Sequence, residues 1–167
     1  MNTIKSTIHT EVIFSDDEQH RYLLIKTWNE KKPACTVITM YPHLDSILSL
    51  DLTTVLILNQ LANSEQYGTV FLVNLLSNIK TSENLKHIKE PFDKHIDIHL
   101  MKAISESETV ILAYGAYAKR PVVVKRVEQV MEMLKSHKKK VKKLINPATN
   151  EIMHPLNPKA RQKWTLK

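Results

Sequence analysis

The chain is poor in the residues from which many catalytic loops are built. Of its 167 residues only two are glycine, Gly68 and Gly115, and only one is cysteine. Two isolated glycines cannot supply a glycine-rich phosphate loop, and no G-x-S-x-G elbow occurs, so triphosphatase, Rossmann-type and elbow-serine hydrolase readings fall away. A single thiol excludes a disulfide framework and a cysteine-based zinc site. Cys35, inside the apolar run "ACTVITM", reads as a small core residue rather than a nucleophile. No apolar run reaches the roughly 18 residues of a membrane span. The stretch "MNTIKSTIHTEV" has neither the apolar core nor the small-residue cleavage site of a secretory signal. The expectation is a soluble, cytoplasmic, monomeric protein with no cofactor.

What is present suffices for one domain over residues 1–167, with 43% hydrophobic residues to bury a single core. The net charge of +7 is unevenly placed. Residues 119–167 hold 14 of the 24 Lys and Arg, against only Glu128, Glu132 and Glu151, while the preceding residues are net acidic. Clustered cations raise the local potential and displace counterions from phosphates, so the asymmetry points to a polyanion, or to a solvated basic face.

Along the chain, "EVIFSDDEQHRYLLIKTW" predicts a hairpin about Ser15-Asp16-Asp17-Glu18. "ACTVITM", "TVFLVNLLS" and "ETVILAYG" are continuous apolar runs that suit strands covered on both faces. Between them, Val55, Leu58, Leu61 and Ala62 predict a helix over about 51–64. "PFDKHIDIHLMKAISES" predicts a second helix with Pro91 and Asp93 as start signals. Val123, Val127, Val130, Met131 and Leu134 predict a long basic helix over about 119–143, and "VKKLIN" suits a final strand. Strands alternating with helices predict a three-layer α/β/α sandwich with a mostly parallel central sheet, plus the N-terminal β-hairpin.

Ligands of such sheets collect at the carboxyl ends of the strands. Those ends carry Tyr41-Pro42-His43, Asn74, Tyr114-Gly115, and Asn146 leading into "MHPLNPKARQKW". This last segment places one imidazole, His154, in a proline-fixed loop followed by Lys159, Arg161 and Lys163. Read alone, it is a surface loop whose histidine satisfies a neighbour; read with the other strand ends, it is one wall of a site.

The order "TMYPHLD", "FLVNLLS", "VILAYGAY", "MHPLNP" resembles the uracil-DNA glycosylase superfamily, and an uncharacterised domain family often carried by mobile elements, over about Arg21 to Leu156. The resemblance implies the corresponding fold and a DNA partner. It places Tyr41, Pro42, His43, Asn74, Tyr114 and Gly115 around a flipped base, with Asn74 reading the Watson–Crick edge. It gives His154 the stabilisation of negative charge on the leaving base, leaves Asp45 or Asp51 to place a water, although either equally suits a helix cap and Asp51 opens a helical segment, makes Leu156 a wedge and sets Lys159, Arg161 and Lys163 on phosphates. Lys138, Lys139 and Lys142, from the basic helix, extend that face, or follow the helix dipole. Tyr41 stands where the related family has asparagine, which leads us to expect base recognition with excision weak or lost. A working glycosylase is the alternative, and an interaction module for a protein such as a DNA-mimicking inhibitor is a third reading. His95 and His99, at i and i+4, have metal-ligand spacing without a third ligand and read as a solvated helix face.

Overall fold

The computed structural model describes residues 1–43, 48–81 and 88–167, so Asp45 lies outside the described residues. The apolar runs become strands β1 (His9–Phe14), β2 (Arg21–Thr27), β3 (Ala34–Thr39), β4 (Thr69–Asn74), β5 (Thr109–Leu112) and β6 (Val141–Lys143). The described α-helices are α1 (Leu52–Asn63), α2 (Ile96–Glu106), α3 (Pro121–Met133) and a short α4 (Pro158–Gln162). All six strands join one sheet in the order β1-β2-β4-β3-β5-β6.

The sheet is mixed, which corrects the expectation of a mostly parallel one. β3 pairs in parallel with β4 and β5, and β5 with β6, but β1 with β2 and β2 with β4 are antiparallel. The cause lies in β2, whose apolar face extends the same core as β4. The hairpin is therefore not an appendage but one flank of the sheet.

Alternating side chains divide the interior in two. On one face Leu23, Ile38, Phe71, Val73, Val110 and Leu112 pack against Leu100, Ala103 and Ile104 of α2 and Val123 and Val130 of α3. On the other, Leu24, Cys35, Val37, Val70, Leu72 and Ile111 pack against Ile57, Leu58 and Leu61 of α1 and Ala160 of α4. Cys35 is fully buried and its thiol is pushed up to about 12 by burial, so it packs as a small apolar side chain with no thiolate at neutral pH.

Two helices depart from expectation. The basic helix ends at Met133, and Leu134–Lys140 tighten into a 3-10 helix before β6. The apolar stripe stops at Leu134, and Val141 is held by pairing with Val110, so nothing binds "KSHKKK" to the core as a helix. The second helix begins at Ile96 rather than at Pro91. Asp93 is drawn off to accept a hydrogen bond from the Tyr22 hydroxyl at 2.5 Å and one from the His95 backbone N–H at 2.8 Å. α1 agrees with the expected span, and Asp51 is its N-cap, accepting from the Thr54 N–H at 2.6 Å.

Candidate functional site

The chain leaves β3 for α1 on one face and leaves β5 for α3 on the other. A crevice therefore opens where the two connections part, at the carboxyl ends of adjacent strands. A cavity of about 440 Å³ occupies this position. Thr39, Met40, Tyr41 and His43 line it from the end of β3, Asp51, Thr53, Thr54 and Ile57 from α1, and Tyr114, Gly115, Ala116 and Tyr117 from the end of β5. Asn146, Glu151, Ile152, Met153, His154, Leu156 and Asn157 close it from the segment after β6.

That last wall is fixed by backbone bonds. The Met153 N–H donates to the Leu144 carbonyl at 2.7 Å, which ties the loop to the end of β6. The Asn157 N–H donates to the His154 carbonyl at 2.9 Å, closing a turn across Pro155. Asn157 also caps α4, accepting from the Lys159 N–H at 3.0 Å. On the opposite side Gly115 has φ of 74°, and a Cβ built there would stand 2.9 Å from the His154 Cβ. Glycine is thus required both by backbone conformation and by the close approach of the histidine loop.

The protonation of His154 follows from its neighbours. Its Nδ1 faces the Leu156 backbone N–H at 3.3 Å; that group can only donate, so Nδ1 accepts and the proton of the neutral ring sits on Nε2. Burial, reinforced by nearby His43 and opposed by Asp51, lowers its pKa to about 4. At neutral pH the cavity wall therefore carries an uncharged N–H donor rather than an imidazolium.

Tyr41 packs partly into the core and meets the His43 ring edge-on, with centroids 5.7 Å apart. Of the residues that the sequence motifs single out, Tyr41, His43, Asp51, Tyr114, Gly115, His154 and Leu156 thus share one cavity. Leu156 is half-buried in this wall rather than fully projecting. Pro42 is buried beside the cavity without lining it. Asn74 is also behind the wall: it is 2% exposed, and its amide is used by Arg21 and Thr39. This corrects its expected place at the base edge.

The cations divide into two groups. Lys159, Arg161 and Lys163 are exposed on and after α4, at the cavity's end of the sheet. Lys138 and Lys139 are exposed on the 3-10 helix that enters β6, at the opposite end of the strands, where neighbouring Lys140 binds the Ile104 and Ser107 carbonyls at the C-terminal end of α2. Lys142 is exposed on the edge strand between the two groups. A single helical basic face is therefore replaced by cations spread from one rim to the other.

Arg21, Thr39 and Tyr117 also line the cavity, although the sequence reading gives none of them a role. Arg21 is 4% exposed and donates from Nη1 to the His43 carbonyl at 3.3 Å and from Nη2 to the Asn74 Oδ1 at 3.4 Å. Its signal is a lone cation at the head of the apolar run "RYLLI". Thr39 is the last residue of β3 and opens the stretch "TMYPHLD", where nothing distinguishes it from its neighbours. Tyr117 is 58% exposed, and the Arg120 guanidinium covers its ring at 4.1 Å, giving an aromatic surface at the cavity edge. His95 and His99 lie elsewhere, beside Tyr22, whose ring stacks on His99 at 5.0 Å. No group of three or more potential ligands is found among the described residues.

A mixed α/β chain with its cavity at the topological switch point is the class that fold and site define. The chain belongs to the DUF1643 family, described as "Protein of unknown function", whose model matches residues 21–156. That span covers every lining segment except the single residue Asn157. No curated protein and no solved structure matches the chain. Among the described residues, no helix is long and apolar enough to cross a membrane.

Proposed function

We propose that the protein binds DNA and seats an unstacked base in the cavity, on a fold of the uracil-DNA glycosylase type, with base excision weak or lost. The observation that carries this reading is the convergence of Tyr41, His43, Tyr114, Tyr117 and a neutral His154 on one cavity at the strand ends. Ring-lined walls with a few fixed polar groups suit a flat heteroaromatic ligand. The exposed Lys159, Arg161 and Lys163 at the same end supply positions for phosphates. Tyr41 fills the place at which a water-orienting side chain is expected, and a phenol already packed against the core does not substitute for one.

A second reading, a working glycosylase, is favoured by one observation: Asp51 lines the same cavity as His154 and acts electrostatically on it. In that reading the carboxylate places a water against the sugar carbon while the His154 Nε2–H stabilises the departing base. The experiment that separates the two is a single-turnover assay on single- and double-stranded oligonucleotides containing one uracil, with binding followed at two salt concentrations. Salt-sensitive binding without strand cleavage at an abasic site supports recognition alone. Cleavage that His154→Ala abolishes supports the glycosylase. Binding that ignores salt, or no binding, contradicts both and transfers the surface to a protein partner.

A further inference from the structure

Three side chains in and behind the cavity wall form a directed hydrogen-bond relay. Asn74 Oδ1 faces the Arg21 guanidinium at 3.4 Å, and Asn74 Nδ2 faces the Thr39 Oγ1 at 2.6 Å. The orientation of an amide is open in isolation, but a guanidinium can only donate, so the atom facing Arg21 must be the oxygen. The NH2 then faces Thr39, whose hydroxyl oxygen is obliged to accept. Consequently the Thr39 hydroxyl hydrogen is turned away from Asn74, and no other described group bonds the hydroxyl. Thr39 lines the cavity, whereas Asn74 does not.

We infer that Thr39 is the specificity-determining group of this cavity, a hydroxyl donor set by Asn74 and Arg21, and that it selects a ligand edge carrying a carbonyl oxygen over one carrying an amino group. The inference rests on the base-binding reading and adds to it the residue that discriminates and the chemical class discriminated. His154 contributes in the same sense, because its neutral Nε2–H is also a donor. Asn74 and Arg21 are positioning residues: each acts by fixing the direction of the Thr39 hydrogen. A carbonyl oxygen brought to such an edge accepts from the Thr39 hydroxyl and the His154 Nε2–H together, whereas an amino group meets two outward donors and has only the second lone pair of the Thr39 oxygen, already accepting from Asn74, to bond.

The test uses the full chain and four single-stranded oligonucleotides that differ at one position, carrying uracil, cytosine, hypoxanthine or adenine, with a fifth carrying an abasic site as reference. The wild type should bind each carbonyl base more tightly than its amino counterpart, uracil over cytosine and hypoxanthine over adenine. Thr39→Val, which keeps the shape and loses the hydroxyl, should reduce both ratios by about 5- to 10-fold, the loss of one hydrogen bond. Thr39→Ser should restore them, and binding of the abasic oligonucleotide should be the same in all three proteins. Asn74→Ala should lower the ratios in part, since the hydroxyl is then free to turn. Should Thr39→Val not fold, Thr39→Cys replaces it and is expected to lower the ratios, a thiol being a weak donor. A wild type that prefers carbonyl bases, with ratios unchanged in Thr39→Val or Thr39→Cys, overturns the assignment of Thr39 and leaves base binding standing. A wild type that binds all five oligonucleotides equally overturns base binding itself, and the role of Thr39 with it.

Discussion

The two faces of the sheet each bury an arginine, and the two are used differently. On the face covered by α2 and α3, Arg126 is 2% exposed and its guanidinium is held by structural partners. Nε donates to the Leu75 carbonyl at 2.8 Å, Nη2 to Asp97 Oδ1 at 2.5 Å, and the Phe92 ring lies 4.5 Å beneath it. On the face covered by α1, Arg21 is as deeply placed but lines the cavity, and it holds the His43 carbonyl and the Asn74 amide. The first arginine locks a helix to a strand end. The second braces a wall and orients its polar groups. Burial of a charge is thus no guide to function until its partners are traced.

This contrast can be broken first on the structural side. Arg126→Met should leave the Leu75 carbonyl unmet and detach α3 from Asp97, for a loss of about 2–4 kcal/mol in urea denaturation. Asp97 is 41% exposed and can be rehydrated, which keeps the loss below that of a fully buried pair. Oligonucleotide affinity measured on the folded protein should be unchanged. A loss below about 0.5 kcal/mol, the scale of an ordinary surface change, would remove the structural role.

The cavity side should respond to pH. The His154 pKa is drawn down to about 4 in the folded protein against an ordinary 6.5, so the unfolded chain binds the additional proton between these values. Stability should therefore fall as pH drops from about 6.5 to 4, by up to about 3 kcal/mol from this group, and the contribution should level off below. His99, lowered chiefly by burial, acts in the same direction. Denaturation from pH 7 to 4.5 should show a shallower slope in His154→Gln than in the wild type, and identical slopes would contradict a buried neutral imidazole.

Gly115→Ala comes next. The left-handed φ and the 2.9 Å approach to His154 should together cost about 1–2 kcal/mol. Base discrimination should weaken while the abasic oligonucleotide binds as before, because the histidine loop is displaced and the phosphate contacts are not. The smallest effect on stability should come from the cations. Replacing Lys159, Arg161 and Lys163 by Ala should leave the folding free energy within about 0.5 kcal/mol while reducing the salt dependence of DNA binding. A smaller reduction is expected for Lys138→Ala with Lys139→Ala, at the far rim. Equal reductions in the two variants would mean that the nucleic acid follows the edge of the sheet from rim to rim.

Much of the framework was legible because it rests on local patterns. Apolar runs such as "ACTVITM" and "TVFLVN", short and rich in β-branched residues, suit central strands, and the spacing of Leu58 and Leu61 marks α1 together with its Asp51 cap. The flank of the sheet was not legible, since the antiparallel pairing of β2 with β4 depends on which strand the hairpin meets after collapse. The site was legible by place and not by role. Strand ends indicated Tyr41, Tyr114 and His154, but nothing local tells that Asn74 turns behind the wall and hands its hydrogen bond to Thr39, nor that Gly115 must admit His154. Those facts belong to partners 35 or more residues apart in the chain.

The most direct measurement is the affinity of the wild type for two single-stranded oligonucleotides identical except at one position, which carries uracil in one and an abasic site in the other, at fixed salt. If the cavity seats a base, the uracil oligonucleotide binds more tightly by about 10-fold or more, and His154→Ala removes most of the difference. Equal affinities in the wild type would contradict a base-binding cavity and leave only the cations to account for any DNA binding.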